Sequence, residues 1–220
     1  MPQLMVFDLD GTLVDSVPDI AAAADAMLIE LGRQAAGVHQ VRGWVGNGAE
    51  KLVQRALVNN CDEALIGSLA AQDVSAALAL FKQYYAAHNG SHSALYPGVE
   101  SVVKRCAESG VRLAIVTNKP LEFVRPLLKT LNIADFFEYI VGGECLPQKK
   151  PHPAPLLHVA EALGVDIGNC LMVGDSRHDV EAGLAAGMPV VAVSYGYNHG
   201  EPVALAGPTA VIDRFSELLV

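Results

Sequence analysis

Four short apolar runs divide the chain. Leu4-Met5-Val6-Phe7 leads into Asp8, Leu113-Ala114-Ile115-Val116 into Thr117-Asn118, and Cys170-Leu171-Met172-Val173 into Gly174-Asp175. The fourth, Val190-Val191-Ala192-Val193, follows Pro189. Unbroken runs of this length predict strands covered on both faces, the situation of a parallel sheet. Tyr139-Ile140-Val141 and Ala210-Val211-Ile212 are weaker runs of the same kind. Between them the apolar period changes to that of a helix. Val99, Val102, Val103 and Cys106 share a face that stops at Gly110. Leu121, Val124, Leu127, Leu128 and Leu131 repeat at helical spacing, with Pro126 as a local irregularity. Leu156, Leu157, Ala160 and Leu163 precede Gly164, a residue suited to ending a helix.

Strand and helix in alternation predict an α/β fold: a Rossmann-like parallel sheet core with helices on both faces. In such sheets the residues just past the strand C-termini converge on one edge, where ligands bind. Asp8, Thr117 and Asp175 all hold that position. Residues 16–92 break the alternation. Val17, Ile20, Ala24, Met27, Leu28 and Leu31 make one helical face, with Ser16 and Asp19 spaced as an N-terminal cap pair. Leu52, Val53, Ala56 and Leu57 make a second face, and Leu65 to Tyr85 reads as helix in one or two pieces. The expected organisation is a core of 1–15 plus 93–220 and an inserted α-helical subdomain of 16–92.

Composition narrows the class. Half of the 220 residues are apolar, enough for a well-buried core. The net charge is −9 and no basic stripe is present, which argues against nucleic acid as a partner. No apolar run approaches the roughly 20 residues that span a bilayer, and the short N-terminal run lacks the basic lead of a signal peptide. Cys61, Cys106, Cys145 and Cys170 show no metal or disulfide spacing and read as packed, reduced thiols. The remaining histidines outside residue 178 show no metal-ligand spacing and read as surface or packing residues. A cytoplasmic protein, monomeric or homodimeric, is expected.

Chemistry concentrates at the strand ends. Asp8 and Asp10, in Asp8-Leu9-Asp10-Gly11-Thr12, lie two residues apart on extended backbone and so face one reacting centre. One can attack while the other handles protons. Gly174-Asp175-Ser176-Arg177-His178-Asp179 brings two more carboxylates to another strand end, where Asp179 also suits the cap of the following helix. Four carboxylates would repel a phosphate unless a cation offsets them, which calls for a divalent metal such as Mg2+ and for an inward lysine. Lys150, beside Lys149 and before Pro151, is the candidate lysine. The Thr117 hydroxyl and the Asn118 amide group stand where a helix N-terminus receives an anion.

These motifs, in this order and across nearly the whole chain, resemble the haloacid dehalogenase-like superfamily of phosphatases. The resemblance implies that the insertion is a cap closing over the site. It implies Asp8 as nucleophile, Asp10 as general acid and base, and Thr117, Asn118 and Lys150 as phosphate binders. Mg2+ would be held by Asp8, the Asp10 backbone carbonyl and Asp175, with Asp179 behind them. Trp44-Val45-Gly46-Asn47-Gly48, Val116-Thr117-Asn118-Lys119-Pro120 and Tyr195-Gly196-Tyr197-Asn198-His199-Gly200-Glu201-Pro202 are most similar to bacterial phosphoglycolate phosphatases. A small phosphorylated metabolite is the implied partner, its carboxylate meeting amides of Gly46, Asn47 and Gly48 and the side chain of Arg42. His178 departs from the Asn expected at that place. Activity on sugar phosphates, nucleotides or pyrophosphate, a sugar phosphomutase, and a non-catalytic phosphate-binding module are the alternatives. A dehalogenase would have no use for Asp10 and Asp175.

Overall fold

The computed structural model describes residues 2–219. In chain order its main elements begin with β1 (Leu4–Phe7), β2 (Val14–Asp15), α1 (Val17–Glu30), α2 (Val38–Arg42), α3 (Ala49–Val58), α4 (Glu63–Gly67) and α5 (Ala71–His88). They continue with β3 (Ala94–Leu95), α6 (Val99–Glu108), β4 (Arg112–Val116), α7 (Leu121–Thr130), β5 (Tyr139–Val141) and α8 (Ala154–Ala162). The last are β6 (Cys170–Gly174), α9 (Arg177–Ala186), β7 (Val190–Val193) and β8 (Ala210–Ile212).

Six of the strands form one sheet in the order β5-β4-β1-β6-β7-β8, and every pairing is parallel. Alternate residues of β1 face opposite layers, as the pleat requires. Met5 and Phe7 join the core of Val102, Val103, Leu127 and Phe215, on the side of α6 and α7. Leu4 and Val6 join that of Leu156, Val159, Val180 and Ala186, on the side of α8 and α9. Burial on both faces accounts for β1, β4, β6 and β7, whereas β8 is an exposed edge strand held by its parallel pairing with β7. Pro126 lies inside α7, which continues through it to Thr130.

The register fixes the functional edge. Phe7 lies opposite Ile115 of β4 and Val173 of β6, so Asp8, Thr117 and Asp175 emerge together at the carboxyl end of three adjacent strands.

The α-helical cap subdomain is inserted between β2 and β3. Helices α1, α3 and α5 pack around Met27, Val53, Ala77 and Phe81, and Phe123 and Tyr197 of the sheet-bearing part join the same cluster. A two-stranded antiparallel ribbon, β2 with β3, ties the entry of the insertion to its exit and was not legible beforehand. The Ser16–Asp19 cap pair does not form. Ser16 Oγ donates instead to Asp10 Oδ1 at 2.6 Å, and the Asp19 carboxylate turns to the exit segment. There it accepts from the amides of Gly90, His92 and Ser93 at 2.9, 2.8 and 3.0 Å. Three backbone donors leaving a turn hold a carboxylate better than the one or two amides of a helix start.

No helix among the described residues is long and apolar enough to cross a membrane. The four thiols are free, with Cys106 and Cys170 buried but Cys61 and Cys145 exposed, so packing accounts for only the first two.

Candidate active site

Asp8 caps the end of β1 and is buried against the sheet, its amide donating to Val173 O at 2.9 Å. Oδ1 accepts from Lys150 Nζ at 2.7 Å, whereas Oδ2 accepts no hydrogen bond among the described residues. The chain then turns sharply, with Leu13 and Val14 amides both on Leu9 O at 3.0 Å. Gly11 permits this with φ +94, a left-handed value that other residues resist. The turn brings Asp10 to the same edge. Its Oδ1 accepts from Ser16 Oγ and from Lys119 Nζ at 2.9 Å, and its Oδ2 from Lys119 Nζ at 3.1 Å.

Asp175 and Asp179 follow β6. Asp175 is fixed from both sides: Oδ1 accepts from Thr12 Oγ1 at 2.7 Å and Oδ2 from the Tyr197 amide at 2.6 Å. Asp179 performs two tasks at once. Its Oδ2 takes the amides of Asp175 and Ser176 and the Ser176 hydroxyl, making the capping box of α9. Its Oδ1 accepts from Lys150 Nζ at 2.6 Å. Lys150 has a third acceptor in Val116 O at 2.6 Å, so its ammonium is fully engaged.

Oxygens of Asp8, Asp175 and Asp179 lie within 4.8 Å of one another, all three residues buried. With Asp10 they make four carboxylates against the ammoniums of Lys150 and Lys119, an excess of two negative charges. The strain shows in the acidities. Burial, reinforced by Asp179, pushes Asp8 up to about 7 despite Lys150. Burial, reinforced by Asp179 and Asp8, pushes Asp175 well above the usual carboxylate range. Asp179, held by Lys150 and its capping bonds, stays below that range in spite of its burial. A divalent cation matches the excess charge, and an all-oxygen donor set suits Mg2+. The surrounding backbone is shaped to hold the donors, since a Cβ on Gly11 or Gly196 would come within 2.4 or 2.2 Å of the Asp175 side chain.

Cap and sheet edge together border a cavity of about 60 Å³. Ligand pockets for drug-sized molecules are roughly 300–1,000 Å³, so this arrangement admits only a small substrate. Asp8, Asp10, Thr117, Asn118, Lys150, Asp175 and Asp179 all border it, as do Gly46 and Gly48. Arg42 and Asn47 do not. Arg42 lies over the Tyr197 ring, 4.9 Å from its centroid, and 3.6 Å from Asp15. The Asn47 side chain reaches His178 Nε2 at 2.8 Å, and its carbonyl takes Lys149 Nζ at 2.9 Å. His178 therefore links the cap to the sheet edge, and burial holds its imidazole down at about 4, neutral near pH 7. Asn118 Nδ2 donates to the carbonyls of Gly46 and Lys150, both at 3.0 Å, so its side chain ties cap to core. Thr117 Oγ1 accepts from the Lys119 amide at 3.2 Å and keeps its own hydrogen free.

Sequence reasoning missed three residues of this site. Lys119 is buried on Asp10, Tyr85 of α5 accepts from Lys119 Nζ at 2.6 Å, and Tyr197 supplies the amide that fixes Asp175. Lys119 stood in the Thr117–Pro120 stretch and was visible as a charge beside a strand end. Nothing in sequence distinguishes Tyr85 from the other aromatic residues of its helix.

A family model described as haloacid dehalogenase-like hydrolase matches residues 5–193, from the first residues of β1 to the end of β7. This chain belongs to the haloacid dehalogenase-like hydrolases. Among its relatives in that family is the phosphoglycolate phosphatase of Pseudomonas putida, 51% identical over 219 residues that cover 100% of this chain and 79% of the relative. The phosphoglycolate phosphatase of Psychrobacter arcticus is 44% identical, covering 99% of this chain and 94% of its own. The crystal structure of a "predicted phosphoglycolate phosphatase" from Haemophilus somnus superposes with a TM-score of 0.92 at 37% identity, covering 99% and 96% of the two chains. The hydrolase thus shares its fold with that structure from end to end, cap included.

Proposed function

We propose that this hydrolase is a magnesium-dependent phosphatase that converts 2-phosphoglycolate to glycolate and phosphate through an aspartyl phosphate on Asp8. The observation that carries the reading is the Asp8 carboxylate. One of its oxygens is fixed by Lys150 while the other accepts no hydrogen bond among the described residues, in a residue that borders the small cavity, with Asp10 two residues away. The names of the full-length relatives supply the substrate.

In the first step the free Asp8 oxygen forms a bond to phosphorus as the phosphorus–glycolate oxygen bond breaks. A proton held on Asp10 passes to the departing alkoxide, which leaves as glycolate. In the second, Asp10 as carboxylate takes a proton from water, whose oxygen attacks phosphorus and releases phosphate and Asp8. The Thr117 hydroxyl donates to a phosphoryl oxygen, and the Lys150 ammonium, held on Asp8 and Asp179, supplies positive charge beside the centre where negative charge accumulates. Mg2+, held by Asp8, Asp175 and the Asp10 carbonyl with Asp179 behind them, would neutralise the excess charge and polarise the phosphoryl group. The cap excludes bulk water during the first step.

The boundaries of the two parts are read as 15/16 and 92/93. The β2–β3 ribbon immediately outside them and the Asp19 bonds to residues 90–93 support this division.

Phosphate release from 2-phosphoglycolate, sugar phosphates, nucleotides and pyrophosphate, with magnesium and with chelator, tests the proposal. It predicts chelator-sensitive release with 2-phosphoglycolate far ahead of the rest. Release that survives complete metal removal contradicts it.

A further inference from the structure

The cavity is bordered by two cations among the described residues, Lys119 and Lys150, and they are not equivalent. Lys150 has three acceptors at 2.6 to 2.7 Å, two of them the carboxylates that surround the phosphoryl position. Lys119 stands on the other acid: it occupies both oxygens of Asp10, at 2.9 and 3.1 Å, and the Tyr85 hydroxyl at 2.6 Å. On the phosphatase reading the departing oxygen of the substrate must reach an Asp10 oxygen. Both are covered by the Lys119 ammonium in this arrangement. The ammonium has to yield, yet it is buried, and a buried charge without a partner is costly. It can move only if another anion takes it.

The geometry points to Lys119 as the residue that selects a substrate bearing a carboxylate one carbon from its ester oxygen. It exchanges Asp10 for that carboxylate and so uncovers Asp10 only when such a substrate is bound. This inference rests on the phosphatase reading and names the device behind its substrate preference.

Two further observations support it. The Tyr85 hydroxyl accepts from Lys119, but its own hydrogen has no acceptor among the described residues, which makes it a second donor aimed at the same anion. The ring is held by Phe81, stacked at 5.6 Å, and by Phe123, edge-on at 4.9 Å. Since Tyr85 belongs to the cap helix α5 and Lys119 to the sheet edge, the donor pair exists only when the two parts meet. Beyond the pair the wall is apolar, formed by Ile20, Val45, Leu52, Phe81 and Phe123. Hydroxyls of a sugar or edges of a base would find no partner there, and a buried polar group without one is unfavourable. A short acid with nothing beyond its carboxylate fits.

The test compares kcat/KM for 2-phosphoglycolate with that for ethyl phosphate, which has the same carbon chain and no carboxylate. Wild type, Lys119→Met and Tyr85→Phe are measured with magnesium. The ratio of the two values on one preparation does not depend on how much of it is folded. Wild type should favour 2-phosphoglycolate by at least about 100-fold, because a site built around a polar group rejects the analogue lacking it. Lys119→Met should bring the ratio within about 10 of unity, and Tyr85→Phe should lower it by about 5-fold. If Lys119 does no more than position Asp10, both esters lose rate together and the ratio stays at the wild-type value, which overturns the inference. Should Lys119→Met cleave neither ester, an unchanged ratio in Tyr85→Phe overturns it and a lowered ratio supports it. A wild-type enzyme that cleaves both esters equally overturns the inference alone. One that cleaves neither takes the phosphatase reading down with it.

Discussion

Asp179 Oδ1 accepts a hydrogen bond from Lys150 Nζ at 2.6 Å, with the two side chains only 1% and 2% exposed. This buried pair connects the start of α9 to the loop before α8, and it places the ammonium on Asp8. Losing Lys150 would leave Asp8 and Asp179 without their shared counter-charge. Lys150→Met is expected to cost about 3–5 kcal/mol of stability, the usual result of breaking a buried pair from one side. Asp179→Asn is milder, about 1–3 kcal/mol, because the amide still accepts through one oxygen but presents an ill-matched NH2 group. Urea unfolding of the metal-free proteins checks both, and a cost under about 0.5 kcal/mol for Lys150→Met contradicts the placement.

Asp19 carries no chemistry, yet its carboxylate gathers three backbone amides and the Ser93 hydroxyl at the exit of the cap. Asp19→Ala strands those amides in a buried turn and should cost about 2–4 kcal/mol. Below the lowered transition the folded protein should keep its kcat, since the β2–β3 ribbon still joins the two parts. Thermal melts and activity at low temperature separate these effects.

Much of the fold was legible because burial on both faces leaves an unmistakable trace. Every strand of the six-stranded sheet is a run of apolar residues, and the register then delivers Asp8, Thr117 and Asp175 to one edge without further information. What was hidden depends on contacts distant in sequence. Ser16 and Asp19 have the spacing of a helix cap, but a carboxylate answers to the strongest donors in reach, and residues 90–93 supply them. Val14–Asp15 and Ala94–Leu95 are too short to show a period, so their ribbon went unseen. Arg42 and Lys119 are both cations near the site in sequence terms. Only the packing shows that one lies on Tyr197 and the other on Asp10.

The weakened acidity of Asp8 and Asp175 makes a prediction about metal and pH. The folded-state value of Asp8 is lifted from 3.8 to about 7 by burial first, and Asp175 is lifted well above 3.8 by the same cause. Groups raised in this way contribute stability that is complete below 3.8 and is lost as pH climbs through about 7. The metal-free protein therefore loses their contribution across that window. Magnesium competes with the bound protons, so the rise in Tm that it produces should grow from about pH 5 to about pH 8. His178, held down near 4, acts with the opposite sign but does so with and without metal, and cancels in the difference. A magnesium-induced shift that is flat across this range would contradict the assignment of the carboxylates to the metal.

The most direct test of the account is to find the phosphoryl group on Asp8 during turnover. The enzyme, cycling on 2-phosphoglycolate with magnesium, is quenched in acid and reduced with borohydride, which converts an aspartyl phosphate to homoserine. Peptide mass spectrometry then reads which aspartate has changed. The account predicts homoserine at position 8 alone, dependent on substrate and absent from Asp8→Asn, whose kcat should fall by at least about 1,000-fold. Homoserine at another position, or an Asp8→Asn variant that still hydrolyses the substrate at a near wild-type rate, would contradict it.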